Sequence, residues 1–583
     1  MKNKAALVLA CIMIVALFTG CGTSKDPGPD VQSETSALSA SPTSDVENTE
    51  DVSSPYHFAA GKYEADENGF PVQKYEYELP ISTTDETLTF WSCAWMPQLI
   101  PEEGFGTMEL PTAVEANTGI NVEYSMMSFT QMQENFSILL ASDDLCDIMV
   151  SGLTYYSGTI EQAIYEDEIF VNIYDYLEYC PNYIYESAVK NPDDVATYKG
   201  VFYFDDMIPA FYNLRSEALQ EMNSTIRGDW LAELGLSAED VVTFDDFYDV
   251  LMRFKTEIEG CTYPWAMLNS IELGAGSYTL NAFDTLPSVA AGRLPSVFQI
   301  DGKVQFANTT ANDLELMTML NKFYTSGLIY PDWQSATGND YYHAAADTGE
   351  VGYIVNNASG CNDYNNTSVD PDADWVPLKK ILRHEGQVIH VGSRLSRRSY
   401  GSCTISTSCE NIPLAITWCD YRYSDSGAFL YNYGVEGVTW TRDENGNVRL
   451  TDFVLNNPDG IGMDWIFITY TLNQLSECGL EDNARKFQYD GGEKFWAMNE
   501  YWNDFEHDDI YEWPAGLNLS TEQSDEANLY ANDISTYIAE NYLMFVDGTK
   551  PLSEWDSYVS DAMSVGLTQV KEIYQKVLDD YLG

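Results

Sequence analysis

Basic residues are scarce in this sequence: 29 Lys and Arg stand against 91 Asp and Glu, a net charge of −62. A charge of that sign repels polyanions over long range, which argues against nucleic acid as a partner. Long apolar runs are scarce too. Beyond the N-terminus none approaches the roughly 20 residues that a membrane-crossing helix needs. No two cysteines have the CxxC spacing of a zinc or redox site, and no fixed-period repeat is visible. Signatures of catalysis are also missing. There is no Gly-x-Ser-x-Gly elbow. Gly491-Gly492-Glu493-Lys494 lacks the lead-in of a phosphate-binding loop. His384 and His390 bracket Glu385 at a spacing that no zinc helix uses, and Gly386 breaks the segment. Asp443-Glu444-Asn445-Gly446-Asn447 has no bidentate Glu at calcium-loop distance and reads as a hairpin tip. A glycosidase needs two carboxylates across the scissile bond, and the cluster Glu161, Glu166, Asp167 and Glu168 reads instead as a solvated acidic face. No catalytic residue, metal or cofactor is therefore expected.

Hydrophobic residues make up 45% of the chain and aromatics 13%, so the acidic balance does not signal disorder of the whole. At the N-terminus Lys2 and Lys4 precede an uncharged stretch, Ala5–Gly20, the layout of a secretory signal peptide over 1–20. Phe18-Thr19-Gly20-Cys21 resembles the bacterial lipobox, apart from Phe18 where Leu is commonest, and the resemblance implies lipidation of Cys21. Residues 21–55 are rich in Ser, Thr, Asp, Glu and Pro and read as a disordered tether above the membrane. Of the 11 cysteines, Cys11 and Cys21 belong to this export segment. The remaining nine, odd in number and irregularly spaced, read as buried thiols.

The body alternates strand and helix. Thr87–Trp91 and Ile120–Tyr124 predict strands, with Gly119 stopping a helix between them. Ser128 and Gln131 form a capping-box pattern before Met132, Phe136, Leu139 and Leu140 at helical spacing. Cys146–Ser151 predicts a third strand, and such βαβ units imply a parallel sheet. Val201–Phe204 reads as a strand leading to a first crossing into a second lobe. Further on, Thr243 and Asp246 cap a helix, Asp301-Gly302 turns a hairpin, and Gly327 ends a helix carrying Leu316, Leu320 and Phe323. Thr404–Ser406 predicts a buried strand. The C-terminal part is helical, with stripes through Ile534 and Ile538 and through Trp555 and Tyr558.

Several segments, in order, resemble the large carbohydrate-type extracellular solute-binding proteins of ABC importers. Ala116–Val122 with Leu140–Ile148 is similar to a TGI strand followed by an "ASG-x-x-PDI" turn, with Asp144 and Cys146 departing from it. Pro181-Asn182-Tyr183 resembles a "PNY" turn, and Arg227–Leu231 with Leu234-Gly235-Leu236 a "RxDWLxxLGL" helix. Phe323–Ile329 is similar to "WYxEGLI", Asn432–Gly437 to "NYGxEG" and Lys550–Trp555 to "KPLSEWD". The resemblance implies an α/β fold of two lobes joined by crossing strands, with a carbohydrate held between them. It also implies delivery to ABC permease subunits, with no membrane contact beyond the lipid anchor. The expected lobes are 56–205 plus 404–480 and 206–403 plus 481–583, in a monomer at the extracytoplasmic face. A secreted glycoside hydrolase, or a glycan-binding adhesin or sensor, is the alternative.

The candidate ligand residues are Trp91, Trp95, Asp206, Trp265, Glu436 and Trp440. Trp91 and Trp95 fall at the end of the first strand, where α/β sheets place ligands. Asp206 lies at the expected crossing, Trp265 at a helix-to-strand join, and Glu436 and Trp440 around the "NYGxEG" turn. Arg394, Arg397 and Arg398 form a basic knot that either receives a sugar carboxylate or pairs with neighbouring acids.

Overall fold

The computed structural model describes residues 54–583 apart from 204–205, 221, 269–271, 274–278, 290–292, 336–344, 358–363, 366, 489–491, 515–516 and 583. The signal peptide, Cys21 and nearly all of the tether lie outside the described residues. The chain first lays down β1 (Thr87–Ala94), β2 (Asn121–Ser128), β3 (Ile148–Val150) and β4 (Phe211–Arg215). It continues through β5 (Met222–Arg227), a hairpin of β6 (Val297–Ile300) and β7 (Lys303–Phe306), then β8 (Tyr353–Asn357) and β9 (Trp375–Pro377). It ends with β10 (Arg398–Ile405), a second hairpin of β11 (Trp440–Arg442) and β12 (Val448–Leu450), and β13 (Gly479–Glu481).

Six strands form the first sheet in the order β13-β4-β10-β3-β1-β2. β1 pairs in parallel with β2 and β3, β13 pairs in parallel with β4, and β10 runs against both β3 and β4. Five strands thus point the same way and end at one edge. Helices cover both faces, so β1 and β4 are buried almost without alternation, as in a doubly covered sheet. The helix Glu109–Thr118 stops at Gly119, whose φ of 68° is left-handed. A Cβ at Gly119 would lie 2.1 Å from the Ser82 carbonyl oxygen, so no other residue fits. The next helix starts at Met132 behind a 3-10 turn, Phe129–Gln131. No capping box forms there: the Ser128 hydroxyl bonds Thr130 Oγ1 at 3.1 Å instead.

The second lobe is built on β8-β5-β9, antiparallel throughout. The Thr243–Asp246 capping box starts the helix Phe244–Glu257, which buries Phe244, Phe247, Val250, Leu251 and Phe254. At about 1.5–3 kcal/mol for each fully buried large side chain, that stripe pins the helix to the core. Ile534, Ile538, Trp555 and Tyr558 from the C-terminal helices close the same core. A small separate cluster around Trp440, Val454, Ile466 and Phe467 belongs to the excursion between β10 and β13.

Val201 ends a helix, Val195–Val201, and Tyr203 bridges to Met207, so the expected strand is not formed at its described residues, 201–203. β4 belongs to the first sheet and β5 to the second. β10 pairs with β4 of the first sheet from Arg398 onward. The family-like motifs have structural explanations. Asp420 accepts from the Tyr77 hydroxyl at 2.7 Å, the Asn182 side-chain amide at 2.9 Å and the Tyr183 backbone N–H at 2.7 Å. Burial nevertheless pushes its carboxyl up to about 6. This carboxylate is what shapes the Pro181-Asn182-Tyr183 turn. Arg227 likewise donates to Asp229 at 2.7 Å and lies 4.5 Å above the Trp230 ring. All eight cysteines among the described residues are free thiols, six of them buried.

Candidate functional site

The carboxyl ends of β1, β2, β3, β4 and β13 share one edge of the first sheet, the position where open α/β sheets hold ligands. Arg215 ends β4 at that edge, and Met222 already belongs to the second sheet, so the edge opens toward the passage between the lobes. Directly after β1, Trp95 is half-buried and its indole N–H donates to Ser476 Oγ at 2.9 Å. Its ring stacks on Phe129, the residue directly after β2, with centroids 4.4 Å apart and planes 20° off parallel. Trp465 stands 6.5 Å away. Phe129 is 53% exposed and Trp465 38%. Three large rings gathered with open faces at a ligand edge form a surface for an apolar partner.

The end of β3 supplies a second aromatic pair. Ser151 has a left-handed φ of 54° and leads into the short helix Gly152–Tyr155. A Cβ on Gly152 would meet Thr404 Oγ1 at 2.5 Å and the Phe170 ring at 2.8 Å, so only glycine permits this approach. The turn brings up Tyr155 and Tyr156, and the Tyr156 hydroxyl donates to Asp167.

Beneath Trp95 lies a buried ion pair. Arg422 Nη1 meets Glu477 at 2.9 Å, and Ser92 Oγ donates to the same carboxylate at 2.7 Å. The guanidinium is sandwiched near Trp418 and Tyr431, 4.3 and 4.5 Å from their centroids. Such a pair contributes little net stability, but losing one partner strands a buried charge. Its structural effect is to fix Ser476-Glu477, and through Ser476 the tilt of Trp95. The cavity between Trp95, Met96, Tyr124, Tyr431, Asn473 and Glu477 has about 20 Å³ of free interior, room for about one water. A ligand larger than water would therefore have to lie on the open side of the rings.

The six expected ligand residues fall in different places. Trp95 is at the edge. Trp91 is wholly buried: it donates to Asn135 at 2.7 Å and packs edge-on to Tyr155. Trp265 is buried in the second lobe, its N–H on Glu272 at 2.8 Å, with Phe247, Phe323 and Tyr353 around the ring. Trp440 is buried against Phe429 and donates to the Gly434 carbonyl at 3.1 Å. Protein atoms occupy the faces of these three rings. Asp206 is exposed in the turn Tyr203–Met207, and Glu436 is exposed beside β11. Of the basic knot, Arg397 is buried on Glu186 at 2.5 Å, Arg398 lies 3.8 Å above the Tyr212 ring, and Arg394 is exposed. Sequence reading missed Phe129 and Trp465. Phe129 carries a signal, since it follows β2 as Trp95 follows β1. Trp465 sits in an apolar helix that reads as core. Among the described residues no group of three or more His, Cys, Asp and Glu is gathered to hold a metal ion.

No protein-family profile and no curated protein matches the sequence. Solved structures do match, over most of both chains. An HMO-binding, ABC-transporter-associated solute-binding protein from Bifidobacterium longum infantis superposes with a TM-score of 0.64 at 16% identity, covering 85% of this chain and 99% of its own. The fold is that of the two-lobed solute-binding proteins. An extracellular solute-binding protein from Bifidobacterium longum subsp. infantis gives a TM-score of 0.66 at 16% identity, covering 89% of this chain and all of its own. The Streptococcus pneumoniae ABC-transporter substrate-binding protein FusA, solved with kestose, gives 0.60 at 18% identity over 85% and 99%. Within the solute-binding fold, the edge that carries Trp95 and Phe129 belongs to the first lobe. No helix among the described residues is long and apolar enough to cross a membrane.

Proposed function

We propose that this protein is the carbohydrate-capturing subunit of an ABC importer, closing its two lobes on an oligosaccharide and handing it intact to membrane permease subunits. The observation that carries the reading is the open aromatic group Trp95, Phe129 and Trp465 at the ligand edge of a solute-binding fold. A pyranose has an apolar face that such rings cover and a rim of hydroxyls that backbone and carboxylate groups can bond. Of the similar proteins, one is HMO-binding and another was solved with kestose, and this chain shares their fold. Cys21 is proposed as the lipidated anchor residue and 21–55 as its tether, with the folded body a monomer at the extracytoplasmic face and no catalytic role.

The test is calorimetric titration with a panel of neutral fructo-, manno- and lacto-type oligosaccharides. Binding of one class is expected, and Trp95→Ala should weaken it about tenfold or more, roughly 1.4 kcal/mol. Absence of binding across the panel, or full affinity in Trp95→Ala, contradicts the reading.

A further inference from the structure

Resting on that reading, we infer that the site takes glycans without carboxylates and rejects their uronate- and sialate-bearing counterparts. The inference comes from where the arginines at the ligand edge are spent. Four of them gather where β4, β10 and β13 meet: Arg215, Arg397, Arg398 and Arg485. A sugar carboxylate would need one of these guanidinium forks free for bidentate pairing.

Each is engaged by the protein itself. Arg215 donates to Ser399 Oγ at 2.9 Å and lies 3.5 Å from the Glu481 carboxylate. Arg485 approaches the other oxygen of Glu481 at 3.4 Å and bonds Gln474 and the Asn432 carbonyl. Arg397 is buried, with Glu186 on one nitrogen at 2.5 Å and the Glu186 and Arg215 carbonyls on the others at 2.7 and 2.8 Å. Arg398 donates to the Gly200 carbonyl at 2.8 Å and lays its plane on Tyr212, 3.8 Å from the ring centroid. Withdrawing any of them from these partners would strand a buried acid or carbonyl, at a cost comparable to what a new ion pair returns.

Arg394, exposed just before β10, lies within electrostatic reach of the Glu512 carboxylate, and acids beside the sheet edge add further negative charge. Asp482 follows β13 directly, and Asp167 is held by the Tyr156 hydroxyl beside the end of β3. A hydroxyl rim finds acceptors there, whereas a carboxylate meets like charge. Charge repulsion of this kind discriminates by raising the energy of the wrong ligand.

The experiment uses matched pairs, each neutral oligosaccharide beside its uronate- or sialate-bearing derivative, titrated into the full-length mature protein at low and high salt. The neutral member should bind, its charged derivative about tenfold or more weaker, and the gap should narrow as salt rises because screening weakens the repulsion. Equal or tighter binding of the charged member overturns the inference while leaving carbohydrate capture standing. A gap that salt does not change overturns it as well, since discrimination would then come from shape. If neither member of any pair binds, the carbohydrate reading falls and the inference with it.

Discussion

Trp91 within β1 and Trp95 just after it lie four residues apart and meet opposite surroundings: Trp91 is enclosed by Phe136 and Tyr155, whereas Trp95 is half-buried and stacks on the exposed Phe129. Trp91→Ala would leave a large cavity and lose the bond to Asn135, so a loss of about 3–5 kcal/mol in stability is expected. Trp95→Ala removes a ring that is half in solvent and should cost far less. Chemical denaturation of both variants checks the contrast, and similar losses for the two would contradict it.

Asp420 collects four donors from Tyr77, Asn182 and Tyr183 inside the first lobe. Asp420→Ala leaves those buried donors without an acceptor, each worth about 1–3 kcal/mol. A loss of at least about 3 kcal/mol is expected by denaturation. A change below about 1 kcal/mol would show that the turn does not depend on this carboxylate.

Lys380 is buried in the second lobe, donates to Asn281 at 3.0 Å and stands over Phe505. Burial brings its pKa down to about 7. The unfolded chain keeps this lysine charged up to about 10.4, so between those values the unfolded state binds more protons and the folded state gains stability as pH rises. The gain is at most about 1.4 kcal/mol per pH unit and ends above the unfolded pKa. Lys380→Met should remove it, so the difference in stability between the two proteins changes from pH 7 to 10. A difference that stays flat contradicts the assignment.

If Cys21 carries the anchor, Cys21→Ala should yield unprocessed precursor or shed protein in cell fractionation. Mature-sized variant that stays in the membrane fraction contradicts the anchor.

Much of the fold is legible in residue pattern. Thr243 with Asp246, Gly119 and the Asp301-Gly302 turn act locally, through hydrogen bonds and backbone angles that neighbours in the chain determine. The passages between lobes are harder. Val201–Phe204 has the apolar composition of a strand yet closes a helix, while β4 contains Asn213 and Arg215, which read as exposed but are buried by long-range partners. At the site, Trp95 is legible because a strand end places it, and Phe129 hides behind Ser128 and Gln131, which read as a helix cap. Trp465 comes to Trp95 from more than three hundred residues away, through packing that no local spacing reports.

The most direct measurement is native mass spectrometry of the protein mixed with a library of neutral oligosaccharides. A single 1:1 adduct with one glycan class is expected, and the glycan released on denaturation should have its original mass. The absence of any adduct, or the steady appearance of shortened glycans in proportion to protein, would contradict capture and delivery of an intact sugar.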